Sequence, residues 1–305
     1  MKKFAPLALL LLLIPLSAHA QVSGPALLRK MGFPPQSKLL ILHADDVGMS
    51  HSVNTASFEA LEKGWVSSAS IMVPCPWLNE TAEFARSHPD IDLGLHLTLT
   101  SEWNNYRWRP LNRAHFESLL DPDGYFYKEG ADVGKHALPE DATAEVAAQI
   151  EKARSAGIRF THLDNHMGAL SQRADLFRVY LAAGRKQQVP VFVSEGEVNA
   201  YPEAFKGYED QPVLRYIGPG NDKNLLEGFQ RTLASLEPGV YITIVHLGLD
   251  DAELRAIMQD RDEGAKSRQR EFDLVCSEAF RKLLHDNGIQ LIRWSDVAKT
   301  LPKAN

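Results

Sequence analysis

This chain has few cysteines, no excess of positive charge and none of the common phosphate-loop or serine-hydrolase signatures. Its two cysteines, Cys75 and Cys276, are far apart. So wide a spacing leaves open a single pairing in an oxidising compartment or two separate buried thiols. No basic stripe is present. The formal charge is −6 and becomes −8 once Lys2 and Lys3 are removed, which argues against nucleic acid as a partner and against a polyanionic substrate. Gly218-Pro219-Gly220 is not followed by the Gly-Lys-Ser/Thr of a phosphate loop. There is no Gly-x-Ser-x-Gly elbow, so Ser/His/Asp nucleophilic catalysis has little support. No internal repeat, low-complexity tract or domain linker interrupts the chain.

Long apolar runs are also scarce, with one exception at the start. Lys2 and Lys3 precede an apolar stretch at 7–16 that Pro15 interrupts, and Ala18-His19-Ala20 has the small-x-small pattern of a cleavage site. Residues 1–20 are expected to be a secretory signal peptide of bacterial type, because the stretch is short for a membrane span. No cysteine follows the cleavage site, so lipid anchoring is not indicated. The expectation is a periplasmic or secreted protein with no membrane span after cleavage, whose mature part, 21–305, is one domain.

What the chain does contain is a regular alternation of strand and helix signals. Strands are expected at 38–43, 67–73, 92–98, 159–164, 189–194, 213–217, 240–246 and 289–293. Helical spacing lies between most of them: from Ser50, as cap, to Gly64, then 78–87, 141–156, 174–187, 224–236, a long 268–285 and a short 294–300. Eight such strands predict an α/β fold, a distorted, TIM-barrel-like (β/α) barrel, with an open doubly wound sheet as the alternative. Two connections are long, 101–139 and 195–211. The first carries Trp103, Tyr106 and Trp108, and loops at the carboxyl ends of strands usually form a binding rim.

The chemistry concentrates at strand ends. Asp45 and Asp46 close the first apolar run, and two carboxylates there are costly to desolvate without a cation or a pairing partner. Capping a helix needs only one acceptor, and Ser50 is nearer to the helix start. One metal ligand plus one base is the economical reading, since two like charges side by side otherwise push one pKa up. Alternation along Leu93-Gly94-Leu95-His96-Leu97 sets His96 opposite the leucines. His162, Asp164 and His166 share parity if their strand continues, and Asp164 suits a carboxylate–histidine pair. His246 closes a very apolar strand. For each histidine alone, a satisfied core imidazole is the competing reading. Together they suggest one metal site with an acid and a base beside it.

At this point the chain resembles the YdjC-like carbohydrate deacetylase family, which includes chitooligosaccharide deacetylases. The resemblance rests on His43-Ala44-Asp45-Asp46-Val47-Gly48-Met49-Ser50, similar to the family's Asn-Ala-Asp-Asp-Phe-Gly opening. Asn54, the segment Gly64…Val66-Ser67-Ser68, Gly94-Leu95-His96-Leu97 and Thr161-His162-Leu163-Asp164-Asn165-His166 follow in order. It implies a metal-dependent hydrolase on a distorted barrel that removes acetyl groups from N-acetylated carbohydrates. Carried across, Asp46, His96 and His166 are the implied ligands of one divalent ion, Zn2+ or Mg2+. Asp45 is the implied general base, and His246 the general acid or oxyanion partner. Independently of the resemblance, the aromatic loop that carries Trp103 and Trp108 is expected to form one wall of the sugar cleft, with a satellite cluster packed against the side of the barrel as the alternative. The family's histidine-rich run is replaced here by Met167-Gly168, and His246 precedes Leu247-Gly248 rather than Pro-Gly. The strand at 191–194 lacks an arginine often found there. Another metal-dependent amidase, esterase or phosphoesterase, or a non-catalytic sugar-binding protein, remains as the alternative.

Overall fold

The structure, a computed structural model, describes residues 24–220, 224–259, 261 and 263–302; the expected signal peptide lies outside them. Eight strands occur in the expected order: β1 (Lys38–Val47), β2 (Ser68–Ile71), β3 (Leu93–Leu97), β4 (Leu163–Asn165), β5 (Val193–Ser194), β6 (Val213–Tyr216), β7 (Gly239–Val245) and β8 (Ile289–Leu291). Every pairing between them is parallel. The order across the sheet is β4-β3-β2-β1-β7-β6-β5. A bridge between Leu163 and Val191 brings the β4 edge against the segment entering β5. The Leu163 N–H donates to Pro190 O at 3.0 Å and the Phe192 N–H to Leu163 O at 2.9 Å. The sheet therefore curls into a distorted (β/α) barrel of a single domain. β8 pairs only with Lys38–Leu40 of β1, while β2 pairs from His43 onward. Two strands thus share one edge of β1, which is why eight strands make a barrel of seven staves.

Alternation along β1 separates two environments. Leu39 and Ile41 join Leu27, Leu28, Val240, Ile242, Trp294 and Val297 in an inner apolar cluster. Leu40, Leu42 and Ala44 join the larger cluster beneath the surrounding helices. The helices Gly24–Met31 and Trp294–Ala298 supply Leu27, Leu28, Trp294 and Val297, and so close the amino-terminal end of the barrel. Above this apolar plug the inner positions become polar: His43 and His162, then Asp45, His96 and Asp164, all buried.

The helices at 78–87 and 174–187 stand as expected. The expected 268–285 helix is two helices, Gly264–Cys276 and Glu278–Asp286. Ser277 is extended (φ −72°, ψ 141°) and caps the second by accepting from the Phe280 N–H. Cys75 and Cys276 are both free thiols. Among the described residues no helix is long and apolar enough to cross a membrane.

Gly94 is the tightest point of the inner face. A Cβ there would lie 2.2 Å from His162 Nε2. The ring cannot retreat, because it stacks on Trp294 at 4.8 Å and meets the edge of His43 at 5.0 Å. Gly94→Ala is expected to destabilise the protein by about 1–3 kcal/mol through overpacking. Chemical denaturation would show a lower midpoint, and an unchanged midpoint would mean that the His162 ring has room to move.

Candidate active site

In a regular strand Asp45 and Asp46 would face opposite sides of the sheet. Here the β1–β2 register shifts between Ala44 and Val47, and Asp46 is left-handed with φ 67°. A bulge of this kind re-aims one side chain, and both carboxylates now face the carboxyl-terminal mouth of the barrel. Neither is needed to cap the helix that follows: Ser50 accepts from the Val53 N–H at 3.2 Å.

Asp46, His96 and His166 each offer a donor atom, and these atoms lie within 4.8 Å of one another. Asp46 Oδ1 is 3.4 Å from His96 Nε2 and 3.8 Å from His166 Nε2. The far side of each imidazole is held. His96 Nδ1 meets Asp164 Oδ1 at 2.5 Å, and His166 Nδ1 meets Thr100 Oγ1 at 2.7 Å. Such contacts are the usual way in which a protein aims the remaining ring nitrogen at a cation. Asp46 Oδ1 is buried and has no hydrogen-bond partner, a costly state for a carboxylate oxygen. Donors about 2.0–2.2 Å from a shared zinc stand roughly 3.3–3.6 Å apart in a tetrahedron. The three residues therefore fit a divalent cation in spacing, in donor chemistry and in the orphaned oxygen.

The other carboxylate oxygen, Asp46 Oδ2, accepts from Arg268 Nη2 at 2.6 Å. Burial alone would raise the Asp46 carboxyl, but the Arg268 guanidinium, with help from His96, holds it well below the usual carboxylate range. Asp46 is thus kept ionised. Two further groups of residues have metal-like spacing, His43 with His162 and Asp164, and Asp45 with His96 and Asp164. In both, the Asp164 oxygens are already engaged, by His96 and by His43 at 2.9 Å.

Asp45 is held differently. Ser70 Oγ donates to its Oδ1 at 3.3 Å, and His43 Nε2 is 3.2 Å from the same oxygen. Its Oδ2 faces the mouth, 3.6 Å from His96 Nε2 and 4.0 Å from His246 Nε2. His43 lies beneath. Burial would depress this imidazole, but hydrogen bonds to Asp164 and Asp45 push it up to about 9. It therefore carries a positive charge under the two carboxylates. His162 moves the other way, to about 3, through burial and the charge on His43. It is a neutral filler of the barrel interior rather than a group of the site. The His246 side chain is 44 % exposed, while its backbone N–H donates to Glu271 Oε2 at 2.6 Å.

These groups floor a cleft of about 370 Å³, whose walls include Glu102, Trp103, Met167, Arg261 and Arg268. Trp103 lines the cleft but is only 1 % exposed, and the Arg261 guanidinium lies 4.6 Å from its ring centre. Trp108, expected at the cleft wall, is not among the lining residues. It is buried one layer behind, where its indole N–H donates to Thr100 O at 2.8 Å and its backbone N–H to Ser101 Oγ at 3.0 Å. It braces the segment that carries Thr100 and Glu102. Sequence reasoning passed over Arg268, Glu102 and Glu271. Glu102 lies five residues past the end of β3 on the loop at its carboxyl end, a position that could have signalled it. An arginine within an ordinary amphipathic helix carries no such mark.

Comparison with known proteins gives a consistent result. A family model described as YdjC-like protein matches residues 39–286. A carbohydrate deacetylase of Thermus thermophilus is 35% identical over 246 residues, covering 76% of this chain and 85% of that one. A carbohydrate deacetylase of Brevibacillus brevis is 28% identical over 262 residues, covering 85% and 99% respectively. Among solved structures, a candidate cellobiose-phosphate cleavage protein of Enterococcus faecalis superposes with a TM-score of 0.73 at 27% identity, covering 86% of this chain and 99% of that one.

Proposed function

Since the chain belongs to the YdjC-like family, we propose that it is a metal-dependent hydrolase that removes acetyl groups from N-acetylated carbohydrates. The observation that carries this reading is the division of labour between adjacent aspartates. Asp46 presents an unpartnered buried oxygen beside two aimed imidazoles, while Asp45 keeps one oxygen free toward the mouth. A sugar-binding protein without catalysis would have no use for that arrangement.

In the proposed reaction Asp46, His96 and His166 hold one divalent ion, Zn2+ or Mg2+. When bound, that ion supplies Lewis-acid polarisation of the acetyl carbonyl and of the attacking water. Asp45 Oδ2 accepts the proton as the water oxygen bonds to the carbonyl carbon. His43 and Ser70 fix the Asp45 carboxylate from below, so its position does not depend on substrate. The C–N bond then breaks, His246 gives a proton to the departing amine, and the proton that Asp45 took from water passes back to His246, 4.0 Å away, restoring both groups. The half-exposed place of His246 at the rim lets it meet a leaving group on the solvent side. Acetate and the free amino sugar are the products. Arg268 keeps Asp46 ionised throughout. We place the activity outside the cytoplasm, on the strength of the leader-like residues 1–20.

The test is acetate release from a panel of N- and O-acetylated glycans, with and without a chelator. The expected result is release from N-acetylated sugars that chelation abolishes and added Zn2+ or Mg2+ restores. Release that persists undiminished after complete metal removal would overturn the metal requirement. Absence of release from every glycan would overturn the deacetylase reading.

A further inference from the structure

Four of the buried polar atoms without a hydrogen-bond partner belong to residues of the catalytic cleft: Asp46 Oδ1, Glu102 Oε2, Trp103 Nε1 and Arg268 Nη1. The cation site explains Asp46 Oδ1. Glu102 is a second carboxylate in the same state, and the proposed reaction gives it no task. It is only 8 % exposed. Among the described residues its one ion-pair approach is to His166, whose Nε2 lies 3.6 Å from Glu102 Oε1. That nitrogen is the one aimed at the cation. The guanidinium groups of the cleft are engaged elsewhere, Arg268 with Asp46 at 2.6 Å and Arg261 over the Trp103 ring.

A buried carboxylate with neither donor nor counter-charge is costly, and the chain holds this one firmly in place. The Ser101 N–H donates to Tyr127 O at 2.8 Å, and Trp108 donates to Thr100 O and to Ser101 Oγ. Thr100 Oγ1 in turn meets His166 Nδ1 at 2.7 Å. One braced segment, 100–102, thus fixes the far nitrogen of a cation ligand and sets a carboxylate on its near side. Yet Glu102 does not join Asp46, His96 and His166 in the group whose donor atoms all lie within 4.8 Å of one another. It stands outside the reach of direct ligation, where one water spans the gap to the ion.

Three protein donors leave positions on a divalent ion that water fills. Such a water donates strongly, and an ionised carboxylate is the acceptor that suits it best. Asp45 stands beside His96 and His246, whereas Glu102 stands beside His166. We infer that Glu102 is a positioning residue for the cation: it accepts a hydrogen bond from a water of the ion on the His166 side, and its charge adds to the hold on the ion without touching it. The inference rests on the cation site formed by Asp46, His96 and His166, and is independent of the sugar chemistry. Mg2+ keeps its waters where Zn2+ is held mainly by the imidazoles, so Mg2+ should depend on Glu102 more.

The test is titration calorimetry of Mg2+ and of Zn2+ into the intact, chelator-stripped protein, as wild type, Glu102→Gln, Glu102→Ala and His166→Ala. Mg2+ affinity should fall about 10- to 100-fold in Glu102→Ala, the usual cost of losing a partner outside the ligand set, and Zn2+ affinity by less. Thermal melts separate this from a merely structural role. Without metal, Glu102→Gln should melt no lower than the wild type, because it keeps the volume and sheds an unpaired buried charge. The rise in Tm on adding Mg2+ should shrink in the same variant, as weaker binding requires. Wild-type affinity for both ions in Glu102→Ala, a loss confined to Zn2+, or a Glu102→Gln protein destabilised equally with and without metal would each overturn the inference. Wild-type binding of both ions by His166→Ala would overturn the cation site and the inference with it, a result distinct from the loss of Glu102's part alone. Acetate release does not enter these readouts, so they stand whether or not the deacetylase reading does.

Discussion

His96→Ala and His166→Ala proteins are expected to emerge from dialysis without bound metal and to lose acetate release by more than about 10²-fold. That exceeds the 10- to 100-fold usually seen when only a partner of a ligand is removed. Each imidazole is aimed by a fixed contact on its far nitrogen, to Asp164 or to Thr100. Both near nitrogens face the same orphaned oxygen of Asp46. Truncating either one leaves a cation with two protein donors from this set, and a carboxylate oxygen still buried. Metal content by elemental analysis, read beside activity, decides the point. Stoichiometric metal in His96→Ala would show that the ion is held elsewhere, and the assignment of the site would fail.

Asp45→Asn should behave in the opposite sense: full metal content, with the rate lowered by roughly 10²–10⁴-fold, the usual contribution of a general base. The amide preserves the shape of the side chain, and its oxygen can still accept from Ser70. What it cannot do is take a proton from water. Asp46→Asn provides the contrast, because it weakens an anionic donor that Arg268 holds ionised, and it should lose metal along with activity. Equal metal loss in the two variants would make both aspartates ligands and leave the reaction without its assigned base.

The regular parts of this fold were legible because they follow simple periods. Eight apolar segments at strand length produced eight strands, and Ser50 acts as the cap where the pattern placed it. The parity that put His96 opposite the leucines also holds. Alternation could not say that Asp46 would be left-handed, and without that twist the two carboxylates diverge. Nor could it say that Ser277 would break a helix whose flanking pattern runs on without interruption. In the loop after β3, aromatic composition suggested a sugar wall. The indole N–H of Trp108 instead finds the Thr100 carbonyl, so that ring serves as a brace, and the loop sets Glu102 and the buried Trp103 along the cleft lining. The contribution of Arg268 came from 222 residues away in sequence, a distance at which no local pattern carries information.

The layering inside the barrel makes the catalytic chamber a dead end. Leu27, Leu28, Trp294 and Val297 seal its base, and the neutral His162 and charged His43 form the next storey. Among the described residues, those layers are buried side chains packed on one another, which closes the downward direction to solvent. In the proposed reaction traffic would therefore be one-sided: the water consumed, the acetate and the amino sugar would all pass through the same rim. Acetate released there would have to leave past the opening that the next substrate has to enter, so the order of release and arrival would be set at that rim.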